Sequence, residues 1–281
     1  MDPFTERTPR VVSAVKLLRG AERRKTGRFL AEGSNSVTEA LATGRALELF
    51  VTEVAADRHE DLVDRALSSG VRVSPITERA AKALGDTVTP PGLIAVCGLL
   101  DVPLAVALGG ATPDDATGSA SRPRLLAVPV SVSEPGNAGT VIRVADAVGA
   151  DAAILAGDSV DPHNGKCVRA SAGSLFHLPI ARERDVDLVL ERIAAAGVQV
   201  LATAADGEVD LDDADELLAR PTAWLFGNEA HGLDPAIAER ADHRVRIPIH
   251  GRAESLNLAT AAAICLYASA RVQHRRPGPT T

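Results

Sequence analysis

The chain has 281 residues, a formal net charge of −7, 46% hydrophobic residues and 2% aromatic residues. That length fits one large α/β domain or two smaller ones, and either is long enough to bury a sizeable core. Five Phe, one Trp and one Tyr exclude an RNA surface built on successive base stacking, and the bulk acidity excludes a simple polycation that coats nucleic acid.

The charge is unevenly placed. Residues 1–30 hold eight basic and three acidic side chains, so the rest of the chain carries −12. Arg271, Arg275 and Arg276 close the C-terminus with no acid after them. A basic start on an acidic body suggests a polyanion gripped at one place, with Arg23, Arg24, Lys25 and Arg28 at its centre; the alternative is a solvated helix face. Cys97, Cys167 and Cys265 form no Cys-x-x-Cys pair, so the sequence indicates neither a disulfide framework nor a zinc site. Three isolated cysteines suit a reducing, cytoplasmic setting. No apolar run reaches the roughly 18 residues of a membrane span, and the N-terminus lacks a secretory signal's apolar core.

In chain order, Arg28–Glu32 reads as a short strand, Ser34 as the cap of a helix through Ala42, and Leu47–Thr52 as a strand. Asp61–Leu67 has helical spacing, Val71 and Val73 alternate with polar neighbours, Glu78–Leu84 is helical, and Leu93–Leu100 is a near-continuous apolar run. These elements make a small α/β/α sandwich. The stretch 109–123 (GGATPDDATGSASRP) draws eleven of its fifteen residues from Gly, Pro, Ser, Thr and Asp, which marks a flexible linker and a domain boundary. After it, Leu125–Val130, Ala152–Leu155, Val198–Thr203, Ala223–Phe226 and Arg244–Ile247 read as buried strands. Helical patterns cover Gly139–Val148, Val186–Ala196, Pro235–Arg240 and the Ala-rich run Leu256–Ala270. Such alternation predicts a mostly parallel sheet, with ligands beyond the C-terminal strand ends. The run Asp206–Glu216, with seven acids and no base, reads as a solvated loop and helix start.

Three loops after separate strands carry small polar groups with Gly or Pro. The first, Ser133 to Arg143, holds a Pro-Gly turn and places Asn137 where an N-cap belongs. Arg143 lies off the apolar face of Val141, Ala145 and Val148. The second, Leu225 to Leu233, sets Gly227, Asn228 and Glu229 at a strand end, where a glycine lets a ligand approach the backbone. The third joins Ile247-Pro248-Ile249 to Glu254-Ser255-Leu256-Asn257 at the start of the buried helix. Taken singly, each loop is equally an ordinary capped turn. His231 and His250 lie in or beside these loops and titrate in the physiological range when suitably placed; loop histidines are also often merely exposed.

Taken together, the segments EPGNAGTVIR, LFGNEAHGL and IPIHGRAESLNLATAAA resemble the SpoU family of RNA ribose 2′-O-methyltransferases, of the SPOUT class. Residues 159–180 (SVDPHNGKCVRASAGSLFHLPI) resemble the family too. The stretch RRKTGRFLAEGSNSVTEAL is similar to its appended substrate-binding domain, a sandwich like a ribosomal RNA-binding protein. Two positions depart from the usual motifs: Glu134 stands where Asp is common, and Ile249 where Met is common.

The resemblance implies a substrate RNA-binding domain over 1–108, the linker over 109–123, and a methyltransferase domain over 124–281 with a trefoil knot. It implies a homodimer and S-adenosylmethionine held by Leu225, Phe226, Gly227, Asn228, Glu229, Ile247, Ile249, Ser255, Leu256 and Asn257, with no metal. It assigns Asn137, Arg143, Glu229, Ser255 and Asn257 to catalysis, and Arg143 also to RNA. A guanidinium does not normally lose its proton, so Arg143 is read as a phosphate clamp and a stabiliser of negative oxygen. The implied substrate is ribosomal RNA of the large subunit, 23S, with transfer RNA or a non-catalytic RNA-binding role as alternatives; an antibiotic-resistance methylase is a special case. The dinucleotide fingerprint of a dehydrogenase and the Walker phosphate loop are both absent from the sequence.

Overall fold

The computed structural model describes residues 2–85, 87, 89–110 and 122–274. The centre of the expected linker, residues 111–121, lies outside the described residues, as do Arg275 and Arg276. The chain forms two compact units, one of residues 2–100 with 161–177 and one of residues 101–160 with 178–274.

The first unit is built on a four-stranded sheet of β1 (Arg28–Glu32), β2 (Ala46–Val51), β3 (Arg72–Pro75) and β4 (Leu93–Gly98), in the order β1-β4-β2-β3. β4 pairs antiparallel with both β1 and β2, and β3 runs parallel to β2. The unbroken apolar sequence of β4 follows from its place: it lies between two strands and is buried along most of its length. One face of the sheet closes over Val11, Leu17, Leu30, Phe50, Ile76, Leu84 and Ile94. Thr52 and Thr77 cap the helices Glu53–Arg58 and Glu78–Leu84 by accepting from Ala55 N and Ala80 N.

Residues 161–177 belong to this first body, although the sequence groups them with the C-terminal domain. Their partners explain why. Buried Arg23 donates from Nε and Nη2 to Asp161 Oδ2 at 2.9 and 2.7 Å, and from Nη1 to the carbonyls of Leu17 and Leu18 at 3.0 Å. Arg169 meets Glu32 at 3.0 Å, and the Phe176 ring stacks on Phe29. Burial pushes the Asp161 carboxyl up, but hydrogen bonds from His163 and Arg23 and the Arg23 charge outweigh it and hold it far below the usual carboxylate range. Arg23 is therefore a structural cation, not the presented RNA contact that its sequence neighbourhood suggests; Arg24, Lys25 and Arg28 are exposed.

The second unit is an eight-stranded sheet of β5 (Asp101–Val102), β6 (Leu125–Pro129), β7 (Ala152–Ala156), β8 (Ile180–Glu183), β9 (Gln199–Thr203), β10 (Val209–Asp210), β11 (Thr222–Phe226) and β12 (His243–Arg246). The order is β10-β12-β9-β11-β6-β7-β8-β5, and every pairing is parallel. β5 pairs with β8, so this unit begins at Asp101 and not after residue 108. One sheet face packs on Leu126, Val128, Ile154, Val189, Ile193, Val200 and Leu225. On the other, the helices Pro135–Ala147 and Leu258–Gln273 pack on each other and on β6. Trp224 is fully buried, stacks on Phe226 and donates its indole N–H to Ser269 Oγ at 2.9 Å, which pins the second helix over β11. The acidic run is more than a solvated loop: Asp206 and Glu208 pair with Arg244, and Asp210, in β10, pairs with Arg246. No helix among the described residues is long and apolar enough to cross a membrane.

Replacing Asp161 by Ala leaves Arg23 buried without its counter-charge. We expect a loss of about 3–5 kcal/mol in stability, read as a lower urea midpoint for the first unit. An unchanged midpoint contradicts the structural role assigned to Arg23.

Candidate active site

Parallel strands deliver their C-terminal ends to one edge of the second unit, and the three loops noted in the sequence leave from there. After β6 the chain turns at Ser131, whose φ of 52° is left-handed, and enters the helix Pro135–Ala147. Pro135 starts that helix, so Glu134 is its N-cap, accepting from Gly136 N at 3.1 Å. The sequence places Asn137 at the cap; in the structure it lies in the first turn, and its amide reaches the other loops.

After β11 the chain folds back on itself. Asn228 and Gly232 exchange backbone hydrogen bonds at 2.9 and 2.8 Å. A Cβ on Gly227 would lie 2.2 Å from the backbone of Gly232 and Leu233, so only glycine fits this turn. Asn228 Nδ2 donates to the Ser131 carbonyl at 2.7 Å, tying this loop to the first.

Glu229 makes the tightest link. Its Oε2 accepts from Ser133 N and Ser133 Oγ, both at 3.1 Å. Its Oε1 accepts from Glu134 N at 3.1 Å and from Asn137 Nδ2 at 3.0 Å. Partial burial pushes this carboxyl up, but the hydrogen bonds from Asn137, Ser133, Glu134 and its own N–H outweigh that and lower it. Asn137 is thereby fixed with its oxygen toward Asn257, whose Nδ2 donates to it at 3.1 Å. Asn257 also caps the helix Leu258–Gln273, its Oδ1 accepting from Ala259 N and Thr260 N. Three loops are thus joined through Glu229, Asn137 and Asn257.

Beside this cluster lies a cavity of about 350 Å3, lined from Phe226 to Ala230, at Ile247 and Ile249, and from Glu254 to Leu256. Of the residues expected to hold a cofactor, Phe226, Gly227, Asn228, Glu229, Ile247, Ile249, Ser255 and Leu256 line it; Leu225 is buried behind it and Asn257 faces Asn137. Ser255 is exposed on the wall, with no hydrogen-bond partner among the described residues. Arg143 does not line the cavity. It lies six residues along its helix from Asn137, about 9 Å down the axis, exposed and without a partner among the described residues. His231 and His250 are both exposed.

Sequence reasoning missed the wall made by Thr203, Ala204 and Ala205, and gave no role to Glu254 of the third loop. The first had a signal: those residues follow a predicted strand of the same sheet. It also gave no role to Ser133 of the first loop, which engages Glu229 through both backbone and side chain. Among the described residues no group of three or more His, Cys, Asp or Glu is placed to hold a metal ion.

Comparison with known proteins gives this geometry a family. Residues 124–267 match the model of the SpoU rRNA Methylase family, and residues 8–95 match the MRM3-like substrate binding domain. The chain belongs to the SpoU rRNA methylase family. The 23S rRNA (guanosine(2553)-2′-O)-methyltransferase RlmP of Bacillus subtilis (strain 168) is 35% identical over 253 residues, covering 90% of this chain and 92% of the relative. The 23S rRNA (uridine(2479)-2′-O)-methyltransferase of Streptomyces viridochromogenes is 41% identical over 142 residues, half of each chain. Among solved structures, the AdoMet-bound rRNA methyltransferase from Sinorhizobium meliloti superposes with a TM-score of 0.79 at 32% identity, covering 96% of this chain and 97% of that one.

Within this SpoU chain, Glu229 is an acceptor-only group that four donors demand. A Glu229→Gln change turns one oxygen into an N–H donor facing other donors. We expect ligand affinity at the cavity to fall at least tenfold, measured by calorimetry. In the unmodified chain the lowered carboxyl keeps its charge through neutral pH. Its stabilising contribution is fully present above the ordinary value of 4.5 and is lost as pH falls through the lower folded value. Affinity should therefore stay flat from about pH 8 to 5 with respect to this group; a loss centred near neutrality in a Glu229-dependent manner contradicts the assignment.

Proposed function

We propose that this chain methylates the 2′-hydroxyl of a ribose in RNA, that its substrate is 23S ribosomal RNA, and that its methyl donor is S-adenosylmethionine. The observation that carries this is the Glu229–Asn137–Asn257 junction beside a ligand-sized cavity, in a chain of the SpoU rRNA methylase family.

The cavity fits the donor. Its volume lies within the roughly 300–1,000 Å3 of small-molecule sites. Val245, Ile247, Ile249 and Leu256 offer an apolar wall for an adenine ring, and the loop segments at Gly227 and Ile247–Ile249 line the cavity as the backbone that reads its polar edge. When bound, S-adenosylmethionine supplies an electrophilic methyl group on a sulfonium. The rest is done by the chain itself. Asn137 and Asn257, held by Glu229 and by the helix cap, orient the ribose, since alignment supplies much of the rate. Ser255 presents its hydroxyl to the same edge. Arg143 grips the neighbouring RNA phosphate and stabilises negative charge developing on the 2′-oxygen. The phosphate accepts the hydroxyl proton.

The first unit serves RNA recognition, with Arg24, Lys25 and Arg28 contacting phosphates; Arg23 is left out because it is buried on Asp161. The protein works as a homodimer in the cytoplasm. Ile264 and Tyr267 form an exposed apolar stripe on the helix Leu258–Gln273, and Arg143 stands off the cavity of its own chain; both suit a site completed near a subunit interface. The knotted topology of the SPOUT class is part of the same proposal, supported by the return of the helix Leu258–Gln273 from β12 to the face of β6 and β11.

Arg143→Ala separates these roles. Methyl transfer to RNA should fall at least a hundredfold, as for loss of a charge-stabilising donor, while S-adenosylmethionine affinity stays within twofold. Full activity of the variant contradicts the role of Arg143.

A further inference from the structure

One group on the cavity wall is not used by the mechanism above. Two acidic residues line the cavity, Glu229 and Glu254, and none of its lining residues is Lys, Arg or His. Glu229 is engaged by Ser133, Glu134 and Asn137. Glu254 is exposed at the rim and makes no hydrogen bond or ion pair with any described residue. It is not needed at the nearby helix N-terminus, because Asn257 already accepts from Ala259 N and Thr260 N. A cavity walled by two carboxylates and no cation suits a ligand with net positive charge, and only one of those carboxylates is open to meet it.

We propose that Glu254 is the counter-charge for the α-ammonium of the donor's amino-acid end. The inference rests on the donor assigned above. The adenine ring is best accommodated by the apolar wall. The sulfonium must lie toward Asn137 and Asn257 for its methyl to reach a ribose. The ammonium is strongly hydrated and suits the solvent-facing rim, where Glu254 stands. An ion pair between exposed groups is weak and screened by salt, so the effect on affinity is modest: a two- to fivefold change at low ionic strength.

Calorimetry on the full chain tests this with three ligands. S-adenosylmethionine and S-adenosylhomocysteine both carry the ammonium; 5′-methylthioadenosine lacks the whole amino-acid end. Glu254→Gln should weaken the first two by two- to fivefold at about 50 mM salt and leave the third unchanged. The difference should close at about 1 M salt, where the screening length falls to about 3 Å. Equal affinities in variant and unmodified chain overturn the proposal, as does equal weakening of all three ligands. Weakening confined to S-adenosylmethionine overturns it too, because that result assigns Glu254 to the sulfonium. If the unmodified chain binds no S-adenosylmethionine, the donor assignment fails and this inference falls with it; binding without any effect of Glu254 overturns this inference alone.

Discussion

A single ionised carboxylate organises the site. Glu229 accepts from two backbone N–H groups and one hydroxyl of the loop that follows β6 and from one amide in the first turn of the helix after it. Hydrogen bonds to a charged acceptor are individually stronger than neutral ones, and two or more on each oxygen fix its orientation. The loop after β11 is thereby locked to the loop after β6, and the Asn137 amide is fixed with its oxygen aimed at Asn257. Residues 92 and 120 positions from Asn137 along the chain become one constellation. Remove the charge and the donors face each other with nothing to accept them.

The rest of the second unit serves that junction. An all-parallel sheet brings every strand's C-terminal end to the same edge, which is where chemistry in such folds gathers. Gly227 allows the loop after β11 to fold back with no room for a side chain. Trp224 and Ser269, which do not line the cavity, hold the long helix over β11, the helix that Asn257 caps. The helix cap and the link to Asn137 are two halves of one feature of Asn257: its oxygen serves the helix and its nitrogen serves Asn137. Orientation of this kind costs nothing at the moment of reaction, because the folded chain has already fixed the groups.

Much of this was legible in the sequence, for definite reasons. The helices Ser34–Ala42 and Glu78–Leu84 carry their own periodicity; the second spans the expected residues, and the first ends at Ala42 as expected but begins one residue early, with Gly33 and not Ser34 at its cap. The three loops stand out because Gly, Pro and Asn cluster after apolar runs. What stayed hidden depends on contacts between distant residues. Arg23 reads as one more surface cation until Asp161, 138 residues away, is seen against it. Residues 161–177 look like part of the C-terminal domain because sequence order cannot show that Phe176 stacks on Phe29 or that Arg169 pairs with Glu32. The acids of the 206–210 stretch look solvated until β12 supplies Arg244 and Arg246. Composition counts charges but does not pair them. Low aromatic content, likewise, excludes stacking on bases while leaving open a grip through phosphate and ribose.

Residues 8–95 of the first unit match the MRM3-like substrate binding domain, and the parallel sheet of the second presents amides, a hydroxyl and a cavity at one edge. Ribose 2′-O-methylation is the function proposed for that pairing. The most direct measurement is mass spectrometry of nucleosides digested from 23S rRNA after incubation with the purified chain and isotopically labelled S-adenosylmethionine. The account predicts label in one 2′-O-methylated nucleoside, stable to loss of the base. Label on a nucleobase, or RNA that remains unlabelled while the donor binds, would contradict it.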